Sequence, residues 1–340
     1  MLFFPMPDRS FQRYDIQRSY DWNYANAPAL PRDYVVAPAV REWKLCGKQV
    51  NSPIAIAAGP LLNGRWLLHY AALGYDVLTY KTVRSRTRSC YPLPNLQPVE
   101  AAELTRSPDA PLKAADQMDG SWAVSFGMPS ASPDLWRFDV EETRRLLPNP
   151  KKLSVSVVAT PEADWSLDQV ADDYARCARW AVESGADFIE LNFSCPNVVS
   201  CDGQLYQNAD GARTVAQHVR SAIGNTPLLL KIGHVTSESD AKDLVRAVSG
   251  IANGLVMINC VAATVERDTQ ALFDGMQRGI AGSAIRQAVI RQVELFAKAV
   301  AVENADLDIV AVGGINSPAD VEAGLDAGAV GVQVATAAML

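Results

Sequence analysis

From about residue 50 onward, short runs of consecutive apolar residues alternate with longer stretches in which apolar positions recur every three or four residues. The short runs suit strands buried on both faces, and the longer stretches suit helices with one buried face. The pattern predicts strands at 53–59, 76–81, 153–159, 188–192, 228–232, 255–259, 308–314 and 331–335. Helices are predicted at 66–74, 132–147 with Ser132 as N-cap, 166–185 stopping on Gly185, 214–223, 239–248, 283–303 and 317–328. Strands of this kind in strict alternation with helices make a parallel sheet covered on its outer face, and their number suits a closed (β/α)8 TIM barrel of the α/β class. An open doubly wound sheet is the rival topology. Only Ala337–Leu340 lie beyond the last strand and its polar end, so an eighth covering helix is expected to be absent or truncated, with the N-terminal segment or a neighbouring chain over that face.

Residues 1–45 have a different character. Pro5, Pro7, Pro28, Pro31 and Pro38 are scattered among aromatic rings, which predicts an irregular extension clamped by ring packing ahead of a barrel domain at 46–340. With 49% apolar residues in 340, the chain can bury one large core, and a net charge of −7 leaves nucleic acid and anionic lipid as poor partners. The cysteines Cys46, Cys90, Cys177, Cys195, Cys201 and Cys260 show no C-x-x-C spacing. This argues against a metal centre, an iron–sulfur cluster or a disulfide framework, and the thiols are read as reduced. Pro5, Pro7 and Asp8 interrupt the apolar start of the chain, and no apolar run approaches the roughly 20 residues of a membrane span. A cytoplasmic address without membrane contact is expected.

Chemistry in a (β/α)8 barrel sits where the loops converge at the C-terminal ends of the strands. There the strand at 188–192 runs into Asn192, Phe193, Ser194, Cys195, Pro196 and Asn197, a thiol and two amides on one short turn. Such a turn offers a proton acceptor beside groups that can bind a planar ring of donors and acceptors, although a lone buried cysteine with turn-forming asparagines would look the same. Lys81 and Lys231 end two other strands, where an ammonium needs an anionic or polar partner or must snorkel to solvent. Gly313-Gly314 and Ala335-Thr336, each between a strand and a helix, could offer backbone N–H groups to a phosphate.

These residues lie within longer stretches: AAGPL (57–61), YKTVRSR (80–86), SFGMPS (125–130), ELNFSCPN (190–197), LLLKIG, MINC (257–260), RGIAGSAIR (278–286), AVGGI (311–315) and GAVGVQVATA (328–337). In order and approximate spacing they resemble the dihydroorotate dehydrogenase family, whose flavin barrel is shared with dihydropyrimidine dehydrogenase. The resemblance covers residues 50–340 and leaves residues 1–45 outside. It implies an FMN-dependent oxidoreductase of pyrimidine metabolism acting on a CH–CH bond, in which a flat dihydropyrimidine loses hydride to flavin N5 and a proton to a loop base.

Cys195 takes the base position. The quinone-using, membrane-associated class has serine there, so the cysteine implies the soluble class. The same resemblance implies that Lys231 lies near flavin N1 and O2, and that Lys81 touches both flavin and substrate. It makes Ala57, Ala58, Gly59, Thr82, Gly282, Gly313, Gly314, Ala335 and Thr336 cofactor positions. Gly127, Met128, Asn192, Asn197 and Asn259 become substrate positions. Two departures stand out: Val124 and Ser130 replace substrate asparagines of the family pattern, and Cys260 replaces a serine or threonine.

A buried polar edge facing Val124 would stay unpaired at a cost of about 1–3 kcal/mol, so a different substrate is one alternative. A flavin-binding subunit that needs a partner chain, or works as a homodimer, is another. A tRNA-modifying flavin barrel is disfavoured by the acidic balance. The basic run Lys81, Arg84, Arg86 and Arg88 reads either as an attractor for a carboxylate or as a solvated loop. The electron acceptor is not named, and direct NAD use lacks a G-x-G-x-x-G fingerprint.

Overall fold

The computed structural model describes residues 12–36, 42–194 and 204–340. The apolar runs form Ile54–Ile56 (β1), Val77–Val83 (β2), Lys152–Val157 (β3), Phe188–Asn192 (β4), Leu228–Lys231 (β5), Gly254–Met257 (β6), Asp308–Val312 (β7) and Gly331–Val334 (β8). These strands are parallel and close into a barrel in chain order. The ring can be followed through its register: Ala55 pairs with Val77, Leu78 with Leu153, Val155 with Ile189 and Glu190 with Leu229. It continues from Leu230 to Leu255, Val256 to Val310 and Ala311 to Val332, and closes from Gln333 to Ala55. The closed ring excludes the open doubly wound sheet. Nearly every strand residue is buried because one face fills the barrel and the other meets the helices.

Between and after the strands lie Gly64–Ala72 (α1), Pro133–Leu146 (α2), Leu167–Glu183 (α3), Ala209–Ile223 (α4), Glu238–Val248 (α5), Arg286–Val302 (α6), Pro318–Asp326 (α7) and the four-residue Thr336–Met339 (α8). Their starts are chemically marked. Asn63, Ser166, Asn208, Ser237 and Ser317 each accept from a backbone N–H of the first turn, and Ser166 with Gln169 completes a capping box. Ser132 occupies the N-cap of α2 as expected, yet its side chain makes no capping hydrogen bond, and Pro133 opens the helix instead. In the four-residue α8, Ala338 and Met339 are buried, and the Tyr70 hydroxyl donates to the Ala338 carbonyl. No helix among the described residues is long and apolar enough to cross a membrane.

Three features differ from the sequence reading. First, the segments after β2 and after β6, to which the apolar pattern assigns no element, pair with each other in a second sheet. Its order is Val261–Ala263, Arg278–Gly282, Ser121–Val124, Leu96–Glu100, Leu112–Ala114, Val265–Arg267 and Gln270–Ala271. These strands are short, several are half-exposed, and one contains Pro98, so they lack the long apolar runs that mark the barrel strands. Their pairing joins distant parts of the chain, as where Ala123 meets Ile280.

Second, residues 20–25 of the extension form a short helix, Tyr20–Ala25, capped by Ser19. The expected ring packing is present beside it: Tyr14 and Tyr20 meet Phe126 edge-on at 6.1 and 5.8 Å. Third, a hairpin of Trp43–Leu45 and Lys48–Val50 spans the expected boundary at 45/46. Cys46 and Gly47 form its turn at positive φ, and Leu45 and Val50 pack on Ala55, Val77, Phe188, Leu229 and Val256 at the N-terminal end of the barrel.

Candidate active site

Parallel closure brings the polar ends of all the strands to one rim, and the second sheet rises over that rim as a wall. Between them lies an open cleft with a cavity volume of about 130 Å³. From the barrel side it is lined by Ala57, Ala58 and Gly59 after β1, Lys81 and Thr82 of β2, and Asn192 of β4. Ser156 of β3, Glu190 of β4, Lys231 of β5, Asn259 and Cys260 after β6, Val312 of β7, and Ala335 and Thr336 after β8 also line it from that side. Gly127 and Met128 line it from the loop beyond the second sheet. The structure therefore brings twelve of the sequence-predicted site residues to one cavity.

The remaining calls fall elsewhere. Cys195 and Asn197 lie outside the described residues. Gly282, Gly313 and Gly314 do not line the cleft. All three have positive φ, and each sits at a close approach. A Cβ on Gly282 would stand 2.0 Å from the Gly120 carbonyl oxygen, on Gly313 2.7 Å from Ile285, and on Gly314 2.7 Å from Arg286 at the start of α6.

Within the cleft the polar groups hold one another. The Thr82 and Ser156 hydroxyls are 3.0 Å apart, and Asn192 Nδ2 lies 3.4 Å from both Thr82 Oγ1 and Met128 Sδ. Asn192 Oδ1 accepts from the Ser194 backbone N–H at 3.3 Å, and Asn259 Nδ2 donates to the Ser194 carbonyl at 2.5 Å. Two of the three amides assigned to substrate, Asn192 and Asn259, thus also grip Ser194. Lys81 Nζ sits 5.7 Å from the Phe126 ring centre, a cation–π contact that offsets part of its desolvation.

Deeper in the barrel, Lys231 Nζ donates to Gln333 Oε1 at 3.0 Å, and Gln333 Nε2 donates to Glu190 Oε2 at 3.1 Å. Burial pushes the Lys231 ammonium below the ordinary lysine value, with Glu190 opposing the shift. Sequence reasoning passed over Glu190, Ser156 and Gln333. Each is a polar residue inside an otherwise apolar strand, and that interruption was the available signal.

The wall is apolar, with Leu96, Trp122, Val124 and Ala281 facing the cleft. Val124 contributes no side-chain hydrogen-bonding group there, as its identity requires. Ser130, the other departure, is outside the lining and is absorbed by its loop: its Oγ accepts from Arg84 N at 3.1 Å and donates to Ala131 O at 2.9 Å. The basic run is also dispersed. Arg84 is fully buried, with Nε donating to Met128 O at 3.0 Å and Nη1 to Ala159 O, whereas exposed Arg86 pairs with Glu162 at 2.6 Å. Arg84 is thus a bracket for the cleft loop and no part of a solvated basic patch.

Among the described residues, no group of His, Cys, Asp and Glu is arranged to hold a metal ion, while a buried cation and amide-bearing strand ends suit an electron-rich planar ligand.

Comparison with known proteins points the same way. The family model described as Dihydroorotate dehydrogenase matches residues 126–340. A dihydroorotate dehydrogenase of Dictyostelium discoideum is 28% identical over 93% of this chain and 90% of its own length. A dihydroorotate dehydrogenase B (NAD(+)) catalytic subunit of Methanopyrus kandleri is 28% identical over 88% of this chain and 86% of its own. A crystal structure of DHODH in complex with ferulenol from Eimeria tenella shares the fold, with a TM-score of 0.70 and 20% identity over 93% of this chain and 84% of that one. The match reaches from the cleft loop to the last helix, across every strand end from β3 onward, and on that extent the chain belongs to the dihydroorotate dehydrogenase family, oxidoreductases that act on a CH–CH bond.

Proposed function

We propose that this chain binds FMN in the cleft and oxidises dihydroorotate or a close cyclic analogue, with Cys195 as the base. The observation that carries the reading is the convergence of Lys81, Asn192, Lys231 and Asn259 on one cavity, where both asparagines also hydrogen-bond Ser194, the residue before Cys195 in the sequence. Ala57, Ala58, Gly59, Thr82, Lys231, Ala335 and Thr336 would hold the cofactor, small residues leaving room for a flat ring beside a fixed cation. When bound, FMN supplies a hydride acceptor.

The protein's own groups do the rest. Asn192 and Asn259 orient the substrate ring and hold the turn at Ser194, and Lys81 stabilises negative charge at the mouth. Cys195 takes the substrate proton on sulfur. A thiol with an ordinary pKa of about 8.5 is mostly protonated at neutral pH, so the rate of flavin reduction rises with pH through the thiol's titration. Free thiols at Cys46, Cys90, Cys177 and Cys260 fit a reducing, cytoplasmic setting.

Purified protein should be yellow and release FMN on denaturation, and anaerobic dihydroorotate should bleach it. A colourless protein that cannot be reconstituted would remove the flavin. The Cys195→Ala variant should keep the colour and lose about 10²–10⁴-fold in bleaching rate. The position of Val124 on the cleft wall favours a second reading, a cyclic substrate with a less polar edge. Flavin left oxidised by millimolar dihydroorotate but bleached by such a compound would select it.

A further inference from the structure

Lys231, Gln333 and Glu190 come from β5, β8 and β4, and all three are nearly inaccessible, at 5%, 5% and 1% exposed. Gln333 spans the other two, with 3.0 Å on the lysine side and 3.1 Å on the glutamate side. A primary amide has one accepting end and one donating end, whereas an ionised carboxylate only accepts and an ammonium only donates. Glu190 therefore claims the Nε2 end of Gln333, and the Oε1 end is left to face Lys231. Without the carboxylate the amide could turn over and present its own donors to the ammonium.

The charge follows the same route. An ammonium buried without an anion sheds its proton. The titratable groups acting on Lys231 are Glu190 on β4 and Cys260 beyond β6, both favouring the charged form, and Lys81 at the end of β2 lines the same cleft. Gln333 is neutral. Glu190 is thus the carboxylate that this arrangement supplies, one amide away.

We propose that Glu190 is a positioning residue that acts through Gln333, keeping the Lys231 side chain charged and aiming its remaining N–H groups into the cleft. Among the described residues Gln333 is the hydrogen-bond partner of Lys231, so two of its three N–H directions remain for a ligand. The consequence for ligand class is specific: the cleft floor presents a fixed cation to a ligand edge that is electron-rich or gains negative charge. The identity of that ligand rests on the flavin reading, but the charge state of Lys231 is a property of the protein alone.

The test reads Lys231 directly. Protein labelled with 13C at lysine Cε is titrated by NMR, and the Lys231 signal is assigned by its loss in Lys231→Arg. In Glu190→Gln the Lys231 midpoint should fall by at least one pH unit, a tenfold gain in proton dissociation. Gln333→Met keeps both charges but removes the bridge, and it should lower the midpoint in the same direction. An unchanged midpoint in a folded Glu190→Gln protein, with folding checked by thermal denaturation, would overturn the proposal. An unchanged midpoint in Gln333→Met would overturn the bridging role, and that variant decides the matter if Glu190→Gln does not fold. In flavin-loaded protein, the lysine break in the pH dependence of the reduction potential should lie at lower pH in Glu190→Gln than in the native chain. A protein that binds no flavin would defeat the proposed function and still give a readable lysine titration.

Discussion

At the scale of single residues, the cleft is a division between amides and lysines on the barrel strands and apolar side chains on the wall. Val124 lies at that division. Its backbone is paired on both sides, to Leu96 and to Gly279, so its side chain can change without disturbing the sheet. Val124→Asn would place a donor and an acceptor on the wall. If dihydroorotate is the substrate, kcat/KM for it should rise about tenfold, the worth of roughly 1.4 kcal/mol for a buried polar edge newly paired. A variant no better than the native chain, or worse, would show that the wall does not meet a polar edge. Ser130 lies outside the lining, and its hydroxyl accepts from the Arg84 N–H and donates to the Ala131 carbonyl.

At the scale of elements, the loop carrying Gly127 and Met128 is held from below by Arg84. Gly127 adopts φ +71°, where a Cβ would lie 2.7 Å from the Tyr91 ring, and Met128 also has positive φ. A conformation of that kind persists only when its surroundings enforce it. Arg84 enforces it with a buried guanidinium on the Met128 carbonyl, and the Trp136 indole N–H in turn donates to the Arg84 carbonyl at 3.0 Å. Arg84→Leu leaves the buried carbonyls of Met128 and Ala159 without this donor. Denaturant unfolding should register a loss of about 2–3 kcal/mol, and ligand affinity should fall with it as the loop relaxes. Unchanged stability would mean that other contacts hold the loop. The basic residues of this segment suggested an attractor for a carboxylate in the sequence because spacing cannot distinguish an arginine that points outward from one that points in.

At the scale of the whole molecule, the barrel is a layered apolar shell with few ionisable groups inside, and its histidines report on that burial. His69 on α1 packs edge-on against Trp66 and Tyr70, with ring centres 6.3 and 5.5 Å away, and burial lowers its pKa. Burial also lowers the pKa of His234, just beyond β5. Folding therefore favours the neutral imidazole in both. Their contribution to stability is complete above the ordinary imidazole value of about 6.5 and is lost as pH falls through the lowered folded values. Thermal denaturation between pH 7.5 and 5 should show a decline that is shallower in the His69→Asn, His234→Asn double variant than in the native chain. Equal slopes would assign the decline to carboxylates alone.

The order of strands and helices was legible because it depends on local pattern, and so were Lys81, Asn192, Lys231, Ala335 and Thr336 at strand ends; the other predicted residues around the cleft came from the family resemblance. Apolar runs at Val77–Val83 or Phe188–Asn192 can bury both faces only in a covered parallel sheet, and parallel strands put their polar ends on one rim. Lys81, Asn192 and Lys231 were visible for that reason alone. What needed tertiary structure were relations between distant positions. The second sheet exists because weak strands such as Ser121–Val124 and Arg278–Gly282 find each other across more than a hundred residues, and neither is persuasive by itself. Likewise, Glu190, Lys231 and Gln333 become one hydrogen-bonded unit only when barrel closure brings β4, β5 and β8 to face a common interior, where polar groups must pair with each other because water is excluded.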